Sequence, residues 1–393
     1  MPSVSPLRAF AALVLLCSTT ALAGGYRFTR IADSVADNFQ PGNFTCSAIN
    51  RQSEVAFKAS RTAADGFNFF DGIYRRDTDG TLVVIAEDPA KTKYNFLGNV
   101  VAINDRGEVS FGASLAGDGF VNAILRGDGD EPVTIASTAN QFSSVSDFGF
   151  PTTLNKKGEV AFLAGLPPPF VGPQGVFSGK GGDVTTHYRT DRDVVLDGKP
   201  ARFFGSFARP SINKQGDVAF QEFLSPNFES GVFVGQEGRF KTIASAAPFT
   251  DQFGTPSLNE HGVATFIHSF FDGNGNFVTE IAKGDGGPLT RVADSTQYGF
   301  FTGAPAINGK GEVAFKAYLP DFSANGIFTG ANPATAKVIQ TGDTLDGAQV
   351  SNINFCEQNG VNDSGEITFT ADLFDDAAPF GSRSAVFKAT PVK

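Results

Sequence analysis

The chain has 393 residues, including 45 glycines, 41 phenylalanines, one methionine and no tryptophan. This composition is typical of an all-β protein with an unusual choice of aromatic residue. The formal net charge of −10 argues against nucleic acid and anionic membranes as partners and is compatible with bound cations.

The N-terminus predicts a secretory signal peptide over residues 1–23. Arg8 supplies a positive charge, residues 9–18 form an apolar run too short to cross a bilayer as a helix, and Ala21-Leu22-Ala23 forms a small-x-small cleavage site. A soluble N-terminal helix is the alternative interpretation. We expect cleavage near Ala23 and a secreted or periplasmic protein. Because no later segment approaches 18 apolar residues, no membrane insertion is predicted.

From residue 50 onward, one short hairpin sequence recurs seven times. Each copy begins with Asn and reaches Phe seven positions later, and the residues after the turn, V-A-F-x-A, alternate as a β-strand does. The Asn residues are Asn50, Asn104, Asn155, Asn213, Asn259, Asn308 and Asn362. The Phe residues are Phe57, Phe111, Phe162, Phe220, Phe266, Phe315 and Phe369.

The pattern N-x-x-G at the start of each copy predicts a tight turn. Asn at the first position of a type I turn can hydrogen-bond to backbone two residues on. The fourth residue then adopts the left-handed conformation that forms a bulge, which Gly does without a steric penalty. Six copies have this Gly, and the first has Ser53, for which we expect a cost of about 1–2 kcal/mol.

Two further strands follow each hairpin, as in GVFVG at 231–235 and FKTIAS at 240–245. Four short strands in about 50 residues are the signature of a propeller blade. We therefore predict an all-β fold, a seven-bladed β-propeller of four-stranded antiparallel blades, formed by residues 24–393 as a single domain.

The two chain ends predict how the ring closes. The segment YRFTRIADS at 26–34 matches the fourth strand TRVADS at 290–295, whereas the last repeat ends after its third strand, SAVFKAT. We therefore expect the N-terminal strand to join the last blade, which also removes the exposed sheet edges that repeats otherwise leave.

The tandem N-x-x-G-x-V-A-F motif resembles the bacterial exported proteins described as choice-of-anchor tandem repeat NxxGxxAF-containing proteins. The resemblance covers essentially the whole mature chain and implies a repeat fold. It implies no established reaction, so it supplies no catalytic residue.

Candidate chemistry lies where the repeat departs from its own pattern. Nine residues after the Asn, five copies have Ala, but the fourth and fifth have Glu222 and His268. A carboxylate and an imidazole at the same strand position of adjacent blades could form a general acid/base pair or part of a metal site. A satisfied hydrogen bond between blades, or a His packed in a local gap, is the structural alternative. His187 and Tyr188 lie on a fourth strand, so we interpret them as peripheral.

A second feature is an acidic residue directly after the turn. Six copies have one, and only Val263 departs from the pattern. The six are Glu54, Glu108, Glu159, Asp217, Glu312 and Glu366. They either form a ring that attracts cations or are solvated hairpin positions.

The sequence DGNGNF offers a weak calcium site. Asp272, Asn274 and Asn276 alternate as calcium ligands do, but Lys283 stands where an EF-hand would have its Glu. An ordinary turn is the alternative. We predict no other cofactor.

Sequence variation is concentrated in two sets of loops that leave a propeller on the same face. One set joins second to third strands, at residues 60–71, 165–174, 224–230, 269–277, 319–325 and 373–384. The other joins blades, at residues 87–98, 137–149, 190–204, 245–253, 295–303 and 342–353. A regular scaffold with irregular loops on one face indicates a binding or interaction module for an extracellular or periplasmic protein or polysaccharide. The alternative is a hydrolase or lyase of an extracellular polymer with its site near Glu222 and His268.

Two cysteines remain after signal removal, Cys46 and Cys356. Cys46 lies four residues before the first motif Asn and Cys356 six before the last, so ring closure would make them neighbours. An exported protein favours a disulfide here, and two free thiols are the alternative.

Overall fold

The computed structural model describes residues 25–63, 68–117, 119, 121–145, 153–168, 172–205, 209–378 and 381–392. The predicted signal peptide lies outside these residues, so it stays a prediction.

The described strands form seven sheets, numbered here in chain order. The first strand, β1 (Tyr26–Asp33), belongs to sheet 7. Sheet 1 contains β2 (Ser47–Ile49), β3 (Val55–Thr62), β4 (Phe69–Arg76) and β5 (Leu82–Glu87). Sheet 2 contains β6 (Tyr94–Ile103), β7 (Val109–Leu115), β8 (Val121–Gly127) and β9 (Val133–Ser137). Sheet 3 contains β10 (Ser144–Val145), β11 (Thr153–Leu154), β12 (Val160–Gly165), β13 (Gln174–Gly179) and β14 (Val184–Arg189).

The second half of the chain continues this pattern. Sheet 4 contains β15 (Val194–Leu196), β16 (Lys199–Phe203), β17 (Ser211–Ile212), β18 (Val218–Ser225), β19 (Ser230–Gln236) and β20 (Arg239–Ala246). Sheet 5 contains β21 (Gln252–Phe253), β22 (Ser257–Leu258), β23 (Ala264–Phe271), β24 (Phe277–Gly284) and β25 (Thr290–Asp294). Sheet 6 contains β26 (Phe300–Ile307), β27 (Val313–Tyr318), β28 (Asn325–Phe328) and β29 (Lys337–Gln340), with the short helix α1 (Pro333–Ala336) before β29. Sheet 7 contains β30 (Thr344–Leu345), β31 (Ala348–Asn354), β32 (Ile367–Phe374) and β33 (Ser382–Pro391), with a 3-10 helix (Glu357–Asn359) before β32.

The expectation of four strands in every blade is too simple for these sheets. Sheets 1, 2 and 6 have four strands, sheets 3, 5 and 7 have five, and sheet 4 has six. In sheets 3 and 5 two short strands share the innermost position, since β10 and β11 both pair with β12, and β21 and β22 both pair with β23. Sheet 4 gains the hairpin β15–β16, whose first strand pairs in parallel with β20.

The N-terminal strand closes the ring as predicted. Strand β1 pairs antiparallel with β33 from Tyr26 opposite Pro391 to Asp33 opposite Ala385. It therefore supplies the outer strand that the last repeat lacks.

The hydrophobic core lies between neighbouring sheets. Each motif Phe is at most 1% exposed and sits on the second strand of its sheet, where it packs against the preceding sheet. For example, Phe111 of sheet 2 clusters with Ala48 and Ile73 of sheet 1. The cluster around Phe57 contains Ala32 of β1 and Val386 of β33, so it joins the last sheet to the first. Sheets packed face to face in a closed ring are a β-propeller.

The predicted turn conformation is confirmed. The six turn glycines have φ between 75° and 98°, and Ser53 has φ 68° at the equivalent position. The hydroxyl of Ser53 donates a hydrogen bond to Glu366 of the last repeat.

Candidate functional site

Glu222 is fully buried inside sheet 4, with both carboxylate oxygens bonded. Its Oε2 accepts a hydrogen bond from the Tyr188 hydroxyl at 2.5 Å, and its Oε1 accepts the backbone N–H groups of Gly205 at 3.1 Å and Phe223 at 2.8 Å. Burial raises the pKa of Glu222 to about 7 because it penalises the charged form more than these three bonds favour it. The carboxyl group is thus poised to change charge near neutral pH.

His268 lies in a separate cluster in sheet 5. Its ring is stacked between Phe253 and Phe270, with centroids 4.9 and 4.6 Å away. Its Nδ1 lies 3.0 Å from Glu280 Oε1, and its Nε2 lies 2.8 Å from Asp251 Oδ2. Burial alone would lower the pKa of His268, but the bonds to Glu280 and Asp251 outweigh it and raise the pKa. The two carboxylates therefore favour the protonated form of the His268 imidazole.

Glu280 extends this cluster to the surface. It also accepts a hydrogen bond from Arg291, and Arg291 pairs with Asp294 at 2.8 Å. Burial acts to raise the pKa of Glu280, but its bonds to His268 and Arg291 outweigh it and lower the pKa. Sequence patterns indicated neither carboxylate that contacts His268, because Asp251 lies in a loop and Glu280 lies at a strand position without a repeated residue.

Glu222 and His268 therefore have different partners, although they occupy equivalent strand positions. Glu222 bonds to β14 of the preceding sheet and to backbone, whereas His268 bonds to its own sheet and the loop before it. The structural alternative of a hydrogen bond between blades describes Glu222, whereas His268 bonds within its own sheet and packs between two phenylalanine rings.

The interpretation of His187 and Tyr188 as peripheral is wrong. Both side chains are 2% exposed, because the outer strand β14 packs against sheet 4. The Tyr188 ring lies 4.8 Å from Phe220, centroid to centroid. His187 Nε2 is 2.9 Å from the Ser178 hydroxyl, and burial lowers the pKa of His187 to about 4.

Asp272 uses its oxygens within its own turn. Oδ1 accepts the backbone N–H groups of Asn274 at 2.9 Å and Asn276 at 2.8 Å, and Oδ2 accepts the Asn276 side-chain amide at 3.1 Å. Within the described ranges, no group of three or more His, Cys, Asp or Glu side chains could hold a metal ion. The DGNGNF side chains thus form the hydrogen bonds of an ordinary turn.

The motif Asn side chains link neighbouring turns around the ring axis. Asn104 Oδ1 accepts the backbone N–H groups of Arg106 at 2.9 Å and Glu108 at 3.1 Å within its own turn. Its Nδ2 donates to the backbone carbonyl of Asn155 in the next repeat at 3.1 Å. The same bond joins five other pairs at 2.9–3.1 Å: Asn50 to Asn104, Asn155 to Asn213, Asn259 to Asn308, Asn308 to Asn362, and Asn362 to Asn50. In the part of the chain that the structure describes, only the amide of Asn213 lacks this bond to the next repeat, Asn259.

The acidic residues after the turns bind these same amides. Asn50 Nδ2, for example, donates to Glu54 Oε2 at 2.6 Å. The other five acidic residues accept the equivalent bond: Glu108, Glu159, Asp217, Glu312 and Glu366. The repeated acid therefore has a turn-stabilising role that neither sequence interpretation named.

The axial end of this ring encloses a cavity of about 120 Å³ lined by motif residues. Ion pairs surround it, with Asp105 2.8 Å from Arg51 and 3.3 Å from Lys156. The 3-10 helix lies across the cavity, since the side-chain amide of Gln358 donates to the Pro256 carbonyl at 2.7 Å.

The predicted disulfide between Cys46 and Cys356 is confirmed. The two Cα atoms are 5.1 Å apart, within the range that disulfides require. Cys356 directly precedes the 3-10 helix, so the bond fixes that helix to sheet 1 at the closing junction.

The opposite face carries an unusual number of exposed phenylalanines. Fourteen large hydrophobic side chains are exposed among the described residues, and ten of them are Phe. All ten lie at the ends of second strands, the starts of third or first strands, or in the loops between these. They are Phe69, Phe204, Phe223, Phe228, Phe249, Phe271, Phe277, Phe300, Phe322 and Phe374. In an antiparallel ring these positions share one face, opposite the Asn turns. We call it the loop face.

Comparison with known proteins places the chain in a family. The model of a family of unknown function, DUF7453, matches residues 23–295 and 270–393. The chain belongs to this family. No curated protein matches the DUF7453 chain.

Solved structures share its fold. An oligogalacturonate lyase in complex with manganese is 12% identical with a TM-score of 0.53, and the match covers 95% of the DUF7453 chain and 94% of the lyase. A Mycobacterium tuberculosis puromycin-hydrolyzing peptidase is 14% identical with a TM-score of 0.50, covering 94% and 55%. A Pyrococcus horikoshii acylaminoacyl peptidase is 8% identical with a TM-score of 0.51, covering 89% and 52%. The DUF7453 chain thus spans about half the length of either peptidase, and identities this low show a shared fold alone.

Proposed function

We propose that this DUF7453 protein is an exported seven-bladed β-propeller, each sheet being one blade, that binds another exported protein through its loop face. The observation that carries the proposal is the set of ten exposed Phe side chains on that face. Phe249 is 96% exposed and Phe271 is 65% exposed, so these rings are available to a partner.

Several features favour a protein partner over a polysaccharide. Protein interfaces are enriched in large aromatic side chains, and a few of these supply most of the binding energy. The exposed rings also meet in pairs, with Phe204 4.9 Å from Phe228 and Phe271 5.3 Å from Phe277. Such pairs make broad apolar contacts, and the chain contains no tryptophan for sugar stacking.

Export is compatible with two observations. The Cys46–Cys356 disulfide belongs to an oxidising compartment. No helix of the described chain is long and apolar enough to cross a membrane.

The geometry supports the hydrolase or lyase alternative less well. A general acid or base must reach the substrate, but Glu222 is 0% exposed with both oxygens occupied. Both ring nitrogens of His268 are likewise held by carboxylates.

Site-specific photocrosslinking tests the proposal. A benzophenone amino acid is placed at Phe249, Phe271 or Phe322 on the loop face, and at the exposed Val84 or Val133 on outer strands as controls. We expect the three loop-face positions, and not the controls, to crosslink to one discrete exported protein. The variant Phe271→Ser/Phe277→Ser should then raise the Kd for that purified protein at least tenfold without changing Tm.

Two results would overturn the proposal. Equal crosslinking from Val84 and Val133 would show that the loop face is not distinguished from the rest of the surface. Binding that is confined to polysaccharides on a glycan array would make the ligand a carbohydrate.

A further inference from the structure

The junction between sheets 4 and 5 departs from the repeat pattern in three ways at once. The hydrogen bond from Asn213 to the Asn259 carbonyl is missing among the described residues, although the equivalent bond joins the other neighbouring repeats. The acid after the turn is replaced by Val263. The third departure concerns Val234 on β19.

The position equivalent to 234 carries a long cation in four of the seven repeats, whereas Ser178 and Thr329 occupy it in two others. In the strand register, the residue after the partner of the motif Phe is Arg75, Arg126, Lys283 or Lys388 in four repeats. Three of these side chains donate to the carbonyl of the next repeat's turn glycine, as Lys283 does to Gly311 at 2.7 Å. Val234 cannot donate, so the space that a long side chain would fill stays open.

A cavity of about 750 Å³ lies at this junction, on the face opposite the loop face. Its wall includes Val234, the turns that contain Asn213 and Gly262, and the start of the outer strand β20. A methyl group added to Gly262 would meet no atom within 4 Å, whereas one added to Gly107 would meet Arg75 Nη1 at 2.7 Å. The cavity therefore occupies the space where other repeats pack a cation against the turn.

The lining of this cavity is basic in an otherwise acidic protein. Lys214, Arg239, Lys241 and His261 line it. Lys241 donates to the Asp285 carbonyl at 2.8 Å. The side chains of Lys214, Arg239 and His261 have no hydrogen-bond or ion-pair partner among the described residues.

The two acids in the wall are already engaged. Asp217 Oδ2 accepts the Asn213 amide at 3.1 Å. Glu260 accepts the Lys214 backbone N–H at 2.9 Å and lies 3.6 Å from Lys156 Nζ. Both acids already accept hydrogen bonds, whereas the side chains of Lys214 and Arg239 have no partner among the described residues. These two cations therefore have N–H donors available to an anion.

We propose that this cavity binds a small anionic ligand that carries carboxylate or phosphate groups. The guanidinium of Arg239 offers two parallel N–H donors, the geometry that suits either group, and Lys214 adds a mobile charge. The site is independent of the proposed protein-binding face, which lies at the other end of the ring.

Calorimetric titration at low ionic strength tests the site with two probes, inorganic phosphate and citrate, and with glucose as the neutral control. We expect at least one anionic probe to bind with a stoichiometry of one. Phosphate alone indicates a phosphorylated ligand, and citrate alone a carboxylate ligand. Arg239→Gln should raise the Kd of the bound probe at least tenfold, because a charge-assisted hydrogen-bond pair is lost.

Two variants make the test specific. Val234→Arg introduces the residue that two other repeats have here, Arg75 and Arg126, occupies the part of the cavity beside Gly262 and supplies a donor to the Gly262 carbonyl, so it should weaken binding strongly with Tm unchanged or raised. Lys157→Gln removes an exposed lysine from the same face outside the cavity and should leave the Kd unchanged.

The proposal fails if neither probe binds at millimolar concentration. It also fails if Arg239→Gln and Lys157→Gln weaken binding equally, because the attraction would then be diffuse surface charge. If Val234→Arg does not fold, the Arg239→Gln and Lys157→Gln pair decides alone.

Discussion

The side-chain amide of Asn362 donates to the backbone carbonyl of Asn50 at 3.0 Å, across 312 residues of sequence. The bond has the same atoms and length as those between consecutive repeats, such as Asn50 to Asn104 at 3.0 Å. The turn ring is thus continuous through the point where the two chain ends meet. Except for Asn213, whose amide has no such bond among the described residues, each motif Asn bonds to its own turn through its oxygen and to the next turn through its nitrogen.

Because the amide nitrogen and oxygen have separate partners, we predict that loss of the nitrogen donor lowers stability about as much as loss of the oxygen acceptor. Asn104→Asp keeps the capping oxygen but loses the donor to Asn155 and places a second carboxylate beside Glu108. We expect a loss of about 2–4 kcal/mol in the free energy of unfolding, close to that of Asn104→Ala. Urea unfolding measures both, with Asn274→Asp in an exposed turn as the control. Near wild-type stability of Asn104→Asp would contradict the role of the donor.

Removal of the N-terminal strand should open the ring. Deletion of residues 24–35 leaves β33 with an unpaired edge, and such edges pair with other chains. We expect oligomers or aggregates in size-exclusion chromatography with light scattering. A synthetic peptide of residues 25–35 added during refolding should restore the monomer. A truncated protein that stays monomeric with unchanged Tm would show that the closing strand is dispensable.

The disulfide should contribute to stability through its long loop. Its cysteines are 310 residues apart, for which the chain-entropy relation gives a ceiling on the order of 5 kcal/mol. Denatured, unreduced protein should show no free thiol on titration. Cys46→Ser/Cys356→Ser should lower Tm to that of the reduced wild type, which serves as the matched comparison. Two free thiols per chain would refute the bond.

The raised pKa of Glu222 predicts that the folded protein loses stability as pH rises. Its pKa is about 7 in the folded protein against an ordinary 4.5, so the folded state holds the proton more tightly. The stability gained is complete below pH 4.5 and is lost as pH rises through 7, with a total on the order of 3 kcal/mol. Glu222→Gln keeps a neutral side chain of the same shape and should remove this dependence. Unfolding at pH 5 and pH 8 tests it, and equal slopes in both proteins would show that Glu222 does not ionise in this range.

His268 also makes stability fall as pH rises, but here hydrogen bonds to carboxylates, and not burial, raise the pKa. Its raised pKa means that stability is complete below about pH 6.5, the ordinary value, and is lost as pH rises through the folded pKa. His268→Ala should flatten this part of the profile and lower stability at pH 6 by about 2–4 kcal/mol, because it unpairs Asp251 and Glu280. His261→Ala, at an exposed turn position, is the control. An unchanged profile in His268→Ala would mean that the imidazole is not charged in the fold.

The sequence predicts the turns, the closing strand and the disulfide because each depends on a local sequence motif or on the order of the repeats along the chain. The left-handed φ of Ser53 and the pairing of β1 with β33 follow from residues that are adjacent in sequence or in repeat order. The Asn-to-carbonyl bonds between repeats could not be predicted, since they depend on how closely neighbouring sheets pack.

The candidate sites depend on contacts that periodicity does not encode. Tyr188 bonds to Glu222 from the preceding sheet, and Asp251 reaches His268 from a loop. Their positions vary from repeat to repeat, so no spacing rule indicates them. Val263 was visible in the sequence as a departure from the pattern, but only the structure shows that Val234 and the cavity lie at the same junction.

The pairing of β1 with β33 also constrains the order in which the molecule can be assembled. Strand β1 is synthesised before all the other described strands, yet its partner β33 ends at Pro391 and is the last of them. During synthesis β1 must therefore wait, unpaired, while the intervening sheets emerge. Closure cannot precede the synthesis of β33, and any factor that holds the first strand apart from its neighbours in that interval controls when the ring forms.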